Sequence, residues 1–397
     1  MAKSKTIKPS YHNEIPPDWE IKELNKLGVF SKGKGILKEQ VIESGLPCIR
    51  YGEIYTTHDF VVKEFKSFIN EEVAKESQPI KKGDILFAGS GETLEEIGKA
   101  VAYTGNEKAY AGGDVIILST NGDSHAEFLS FVLETDFVRR QKRRLGQGHS
   151  VVHIYPRDLA TLKIPLPPLK ERQAIADLLH LMDNAIIKKN LLIEKKLLQK
   201  KWLMQKYLSE TLNEENKQLR TAKLSEFTKK VKGKVYKASE DKSGFPCITA
   251  TSFDSNYTEF TNTKDAVKCE YNDVLILWDG ENAGAVTTGH AGVIGSTVAK
   301  LILNDSLDNH FITFHLQYYN QKLRAIREGS GVPHMPGDFE DWYHFKIPSK
   351  EKQNEITIVL CNAEKEIQIL KAQTEKLKEK KKGIMQQLLT GKKRLTL

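Results

Sequence analysis

From residue 350 onward the chain carries a seam at alternating spacings of four and three. Its positions are Ile356, Leu360, Ala363, Ile367, Leu370, Thr374, Leu377, Lys381, Ile384 and Leu388. A heptad pattern held this long marks a helix that packs lengthwise on another helix. Residues 169–212 place Ile175, Leu179, Met182, Ile186, Ile193, Leu203 and Tyr207 at the same phases, interrupted by Lys189, Lys196 and Lys200. No Pro or Gly lies between Lys170 and Leu212, and Gly383 is the only breaker in the second segment before Gly391. Pro167-Pro168 and Pro348-Ser349 mark the starts, with Ser349 as an N-cap, and Gly391 marks an end. A helix of about 35 residues is ~50 Å long. Neither seam can be buried alone, so the pattern predicts two long helices packed as an antiparallel coiled coil.

Elsewhere the pattern is mixed. Asp84–Phe87, Asp114–Ser119, Asp273–Trp278 and Val298–Leu303 are short, rich in branched residues and bounded by turn formers, which predicts strands. Ala126–Arg144 and Asp308–Glu328 read as helical. The globular parts are therefore expected to be α+β.

The chain is also a repeat. Ser44-Gly-Leu-Pro-Cys-Ile49 recurs as Ser243-Gly-Phe-Pro-Cys-Ile248, and Gly83-Asp-Ile-Leu86 recurs loosely as Asn272-Asp-Val-Leu275. Gly146-Gln-Gly148 matches Gly329-Ser-Gly331, each followed by a His, and Lys163-Ile-Pro165 matches Lys346-Ile-Pro348. Lys170-Glu-Arg-Gln173 matches Lys350-Glu-Lys-Gln353, and beyond it the copies run without a gap at an offset of 181. The expected organisation is a globular domain at 1–168, a spacer helix at 169–212, a second domain at 213–349, a second spacer helix at 350–391 and a basic tail at 392–397. Heads at opposite ends of an antiparallel pair give an internal pseudo-two-fold. Such a shape suits contact with two places on a long partner.

Composition narrows the function. Mean hydropathy is −0.45, with no apolar run that spans a membrane and no apolar N-terminal leader, so a cytoplasmic protein is expected. The four cysteines, Cys48, Cys247, Cys269 and Cys361, show no metal-ligand spacing and are expected to be reduced and mostly buried. The net charge of +8 is concentrated in the two helical segments, +4 over 169–212 and +6 over 350–397. That distribution suits a nucleic-acid partner without requiring one. There is no phosphate loop, and Ala88-Gly-Ser-Gly-Glu92 lacks the Lys and Ser/Thr of one. No amino-methyltransferase motif, nuclease carboxylate cluster or His dyad is found either, which argues against catalysis by this chain.

Several of these stretches are similar to the specificity (S) subunits of type I restriction–modification enzymes. They are Ile15-Pro-Pro-Asp-Trp19, the two Gly-x-Gly loops, Ile164-Pro-Leu-Pro-Pro-Leu-Lys-Glu-Arg-Gln173 and Met385-Gln-Gln-Leu-Leu-Thr-Gly391. The second copy departs by shortening Pro-Leu-Pro-Pro to Pro-Ser, and the first helix by its seam lysines, which suggest a face shared with a partner. The resemblance implies two target-recognition domains that each read half of a bipartite site on double-stranded DNA. It also implies spacer helices that dock two methyltransferase subunits and, through them, restriction/translocase subunits. The chain itself is then expected to bind no cofactor, while the complex uses S-adenosylmethionine, ATP and Mg.

Residue chemistry nominates contacts. Arg139, Arg140, Lys142, Arg143 and Arg144 form the densest basic run in the first domain and lead into Gln147, His149 and Ser150. Arginine suits phosphate and guanine, and glycine lets backbone approach a phosphate. Arg324, Arg327, Ser330 and His334 are the weaker counterpart. Lys32, Lys34, Lys230, Lys232 and Lys234 are further phosphate candidates. Ser90 and Asn282, after strand ends, are candidates for base edges. Two other readings stay open: a coiled-coil scaffold with two protein-binding heads, and a self-sufficient enzyme.

Overall fold

The structure, a computed structural model, describes residues 15–395 apart from 122–124, 149, 210–213, 255–256 and 330. The chain forms two compact units, Met1–Lys188 with Thr374–Leu397, and Lys189–Gln373.

The first unit is built on a five-stranded sheet in the order Gly28–Lys32, Val115–Thr120, Asp84–Ala88, Ala100–Tyr103, Val61–Val62. Its central strands are apolar on both faces because both faces are covered. Ile85, Phe87, Ile116 and Leu118 point to one core with the helix Ala126–Leu133, while Leu86, Ala88, Val115 and Ile117 point to another. That is the two-residue period of a strand resolved into two separate cores. A four-stranded sheet, Ser67–Ile69, Leu46–Ile49, Ala109–Ala111, Gln78–Ile80, lies beside it in the chain's topology, with Leu46–Ile49 parallel to Ala109–Ala111. The second unit repeats the plan with Thr228–Lys232, Val298–Leu303, Val274–Leu277, Val286–Thr287 and with Phe260–Thr261, Phe245–Ile248, Gly292–Ile294, Lys268–Cys269. The repeated Pro-Cys-Ile segments are the equivalent strands, and Cys48 and Cys247 are both buried.

The two helical stretches expected in the heads are each broken. Ala126–Leu133 and Asp136–Leu145 are separated where Thr135 turns extended (φ −70°, ψ 152°), and beside the break Glu134 accepts from the Ala100 amide and from Lys142. Asn309–Tyr318 and Asn320–Ala325 are separated at Tyr319 (φ −94°, ψ 24°).

The long helices are Leu169–Leu208 and Lys350–Leu388. The second opens on Ser349, whose Oγ accepts from the Lys352 amide at 3.3 Å. They pair antiparallel in each unit, partner numbers falling on one as they rise on the other. In the first unit Asp183 meets Lys381, and in the second Lys189 meets Gln373, Lys196 meets Glu366 and Lys200 meets Glu364. Ile356, Leu360, Ile367, Thr374, Lys381 and Leu388 are buried. The seam lysines therefore do not imply a shared outer face. Each reaches across to an acid or amide of the opposite helix, which satisfies its charge while its stem packs in the seam.

A clasp in the first unit ties together residues that stood out in the sequence. Arg394 donates to both carboxylate oxygens of Asp18 at 2.8 Å and to Glu171 at 2.6 and 2.7 Å, and Trp19 Nε1 donates to Glu171 at 3.2 Å. Gly391 adopts φ +73°, and a Cβ there would lie 2.3 Å from Pro16 Cδ.

Candidate nucleic-acid interface

In the first unit the helix Asp136–Leu145 delivers the chain into a short tongue. Gln147 and His153 close it by exchanging backbone hydrogen bonds of 2.9 and 2.7 Å. In the second unit Glu328 and His334 close a tongue of the same length with two bonds of 2.9 Å. Gly148 (φ +119°) and Gly329 (φ +94°) sit just inside the closure, where an added Cβ would strike the carbonyl of Val151 at 2.1 Å or of Val332 at 2.7 Å. Only glycine takes this conformation with so little room. The structural equivalent of Gly329 is thus Gly148, not Gly146, and the offset found along the long helices extends through the tongues.

Each tongue is pinned to the end of a central strand. His153 pairs with Ser90, its Nδ1 lying 2.9 Å from Ser90 Oγ, and Ile154 N donates to Gly89 O. His334 bridges to Asp279, Gly280 N donates to Pro333 O, and Met335 N donates to Trp278 O. Strand end, tongue and basic helix end therefore converge in both units.

The nominated side chains divide by burial and partner. Arg140 and Arg144 are exposed, and Arg140 Nε donates to the Asp136 carbonyl of its own helix. Arg139 pairs with Glu134 at 3.2 Å and Arg143 with Glu95 at 2.9 Å, both half-exposed. Gln147 and Ser150 are exposed, whereas His149 and Ser330 lie outside the described residues. Arg324 donates to Asn282 Oδ1 at 3.5 Å, and Arg327 to the Glu281 carbonyl at 2.7 Å. These oxygens are neutral, so both guanidinium charges stay uncompensated by them. The contact brings Asn282 together with the basic segment, as Ser90 is brought to the first tongue. His334 Nε2 lies 3.6 Å from Glu328. Lys32 and Lys234 are exposed, and Lys34 reaches Glu76 at 3.5 Å in solvent.

Three nominations are corrected. Lys142 is 2% exposed; its Nζ donates to Glu134 at 2.8 Å and to Gly98 O at 2.9 Å. Burial lowers its pKa, against the opposing pull of Glu134. A buried, paired ammonium is an internal strut, and sequence proximity to four surface arginines concealed it. Ser90 is 2% exposed and holds His153, so it positions the tongue. Lys230 bonds Glu340 at 3.2 Å and Gly337 O, and lies over Trp278 at 4.6 Å, an internal clamp of the second unit. Lys232 pairs with Asp279 at 3.2 Å while remaining half-exposed.

His315 is buried among Phe311, Tyr319, Tyr343 and Phe345, and burial pushes its pKa down to about 3. A permanently neutral imidazole here is core. Among the described residues no group of three or more His, Cys, Asp or Glu is placed to hold a metal, and no helix is long and apolar enough to cross a membrane.

Comparisons with known proteins agree with this architecture. The chain is 25% identical to the putative type I restriction enzyme MjaX specificity subunit of Methanocaldococcus jannaschii, over 99% of this chain and 98% of that one. It is 30% identical to the MjaVIII specificity subunit of the same organism over 42% of this chain, a match spanning 41% of that protein's length. The crystal structure of the type I restriction–modification S subunit from M. genitalium superposes with a TM-score of 0.65, at 16% identity, over 95% of this chain and 96% of that one. A family profile described as the type I restriction modification DNA specificity domain matches twice, at residues 16–195 and 216–379. With two such domains covering most of its length, the chain belongs to the type I restriction–modification DNA specificity family.

Proposed function

We propose that the chain is the non-catalytic, sequence-reading subunit of a type I restriction–modification complex, each unit reading one part of a bipartite double-stranded DNA target. The carrying observation is the duplicated tongue: a glycine-hinged loop, fed by a basic helix and pinned to a strand end, once per unit. In this reading Lys32, Lys34, Lys234, Arg140, Arg144, Arg324 and Arg327 contact phosphates and set register. Gln147, Ser150, Asn282 and the tongue tips face base edges. Ser90, Lys142 and Lys230 hold this frame from within. Phosphate contacts position a protein on DNA, and groove contacts specify the sequence. The long helices separate the readers and dock two methyltransferase subunits, through which restriction/translocase subunits join. S-adenosylmethionine, ATP and Mg are used by those partners, in the cytoplasm, and this chain binds none of them.

The test is selection of duplexes from a random-sequence pool by the full chain with its methyltransferase subunit, at two salt concentrations. The reading expects enrichment of two short elements at a fixed gap, with affinity falling steeply as salt rises. Binding that enriches no sequence, or no binding at all, would favour the scaffold.

A further inference from the structure

The first unit also contains a polar cleft lined by none of the tongue residues, although its Asp114 carbonyl accepts from Gly89 N, whose own carbonyl holds Ile154 after the tongue. The cleft is about 580 Å³ and is lined by Ile36, Arg50, Tyr51, Glu53, Gly112 and Asp114, among others. Its floor lies at the carboxyl ends of two parallel strands, Leu46–Ile49 and Ala109–Ala111. Crevices at such ends are where α/β sheets hold their ligands. The backbone there is tightly specified. Gly112 N donates to Ile49 O at 2.9 Å, Gly113 N donates to Gly35 O at 3.1 Å, and a Cβ on Gly33 would lie 1.9 Å from Gly112 O. Ile36 is held at φ +60°, an unfavourable conformation for a β-branched residue that its surroundings must enforce.

The second unit has the same crossover. Gly295 N donates to Ile248 O, and a Cβ on Gly233 would lie 2.2 Å from Gly295 O. The strand leading in is the repeated Ser-Gly-x-Pro-Cys-Ile in both copies, yet the next residue is Arg50 in one and Thr249 in the other. A kept frame with a changed tip is what two readers of different sequences need.

Arg50 is set up as a fork. Its stem lies beside Gly112, where a Cβ would come 3.4 Å from Arg50 Cγ. Its Nε lies 3.4 Å from Glu53 Oε1, which also accepts from Ser67 Oγ at 2.7 Å. Glu53 is nearly buried, and among the described residues its other oxygen has no hydrogen-bond partner, so Arg50 and Ser67 are the groups that hold the carboxylate. The side chain of Arg50 is one-third exposed, and among the described residues its ion pair runs through Nε, leaving the two terminal amino groups outside it. Glu53 offsets part of the charge of Arg50. The pair therefore gains less from a phosphate, but it retains two directed donors. Two parallel donors match O6 and N7 of guanine in the major groove.

We infer that Arg50, positioned by Glu53, is a specificity-determining residue of the first unit, reading a guanine, while Thr249 gives the second unit a different preference at the equivalent place. The inference rests on the DNA-reading function proposed above. The same duplex selection, run on the full chain with its methyltransferase subunit, tests it with Arg50→Lys, Arg50→Ala and Glu53→Gln. Wild type is expected to demand guanine at one position, with replacement of that base costing about 5- to 150-fold in affinity. Both Arg50 variants weaken that demand and keep the other element and the gap; Arg50→Lys also keeps the salt slope, whereas Arg50→Ala uncovers the Glu53 charge and lowers affinity for all duplexes as well. Glu53→Gln blurs the guanine preference while raising affinity for unrelated duplexes, because it uncovers a positive charge. Arg50→Lys keeps the ion pair, so its result stands even if Arg50→Ala fails to fold. An unchanged motif with the Arg50 variants overturns the inference. So does a uniform loss across all sequences, with the guanine demand intact, in both Arg50 variants, which marks a phosphate contact. A wild type that selects no motif overturns the DNA-reading function itself, and the inference with it.

Discussion

Lys381 Nζ lies 2.6 Å from Asp183 Oδ1 at a seam position where heptad packing ordinarily places an apolar residue. The ammonium also lies over Phe60 and Phe131, 4.4 and 5.3 Å from their ring centres, and its side chain is 9% exposed. Charge, stem and aromatic faces together make this lysine part of the core. Lys381→Ala leaves Asp183 mostly buried and unpaired, and is expected to cost about 3–5 kcal/mol. Replacing both residues with Leu should recover most of that loss. A double-mutant cycle in urea checks both statements, and additive losses from the single changes would contradict the pairing.

Lys142 and Arg144, two positions apart, should behave oppositely. Lys142→Ala strands the carboxylate of Glu134 and is expected to lower stability by about 3 kcal/mol or more. Arg140→Gln with Arg144→Gln should leave melting unchanged within about 0.5 kcal/mol, since exposed pairs contribute little. That pair of changes should weaken DNA binding for all sequences alike and lower the salt slope by about 2, roughly one per phosphate contact. Thermal melts and salt titrations on the same preparations separate the two behaviours.

The tongues should respond to a single methyl group. At Gly148, Ala meets both a positive φ and the Val151 carbonyl, so the tongue must move. The strain is of order 1–3 kcal/mol and local. Gly148→Ala is expected to keep overall stability nearly intact and to blur only one element of the selected motif. Gly329→Ala should blur only the other. Loss of both elements from either change would contradict independent readers.

Acid should loosen the second unit through His315. Its folded pKa, about 3, lies below the unfolded value of about 6.5, so the unfolded chain binds the extra proton between those limits. Stability from keeping this imidazole neutral is full above pH ~6.5 and declines by up to about 1.4 kcal/mol per pH unit on going down towards pH 3. Burial also lowers the pKa of His290 in the same unit, which adds slope in the same direction. His315→Leu should flatten the pH dependence of hydrogen exchange in the helix Asn309–Tyr318. An unchanged slope would mean another group dominates.

The long helices were legible because a heptad seam states both the helix and its need for a partner. Even Thr374 and Lys381 fell on the seam before their partners were known. The strands Val298–Leu303 and Asp84–Ala88 were legible from branched runs between turn formers. Burial was not legible within a charged run. Nothing in Arg139-Arg140-Gln-Lys142-Arg143-Arg144 says that the lysine faces inward; Gly98 and Glu134, which receive it, lie 44 and 8 residues away, both outside the helix that carries it. The tongue register was misread by two residues because Gly-x-Gly matched by letter, whereas φ and the Val carbonyl select Gly148. Arg50 escaped notice for the same reason as Lys142. Its meaning comes from Glu53, Ser67 and Gly112, which only folding assembles.

The most direct test of the central claim is a long-read methylation map of DNA from cells expressing this chain with its methyltransferase subunit, beside cells expressing that subunit alone. The account predicts methyl-adenine at one two-part motif with a fixed gap, seen only when both proteins are present. A stable complex that leaves no chain-dependent motif would contradict it.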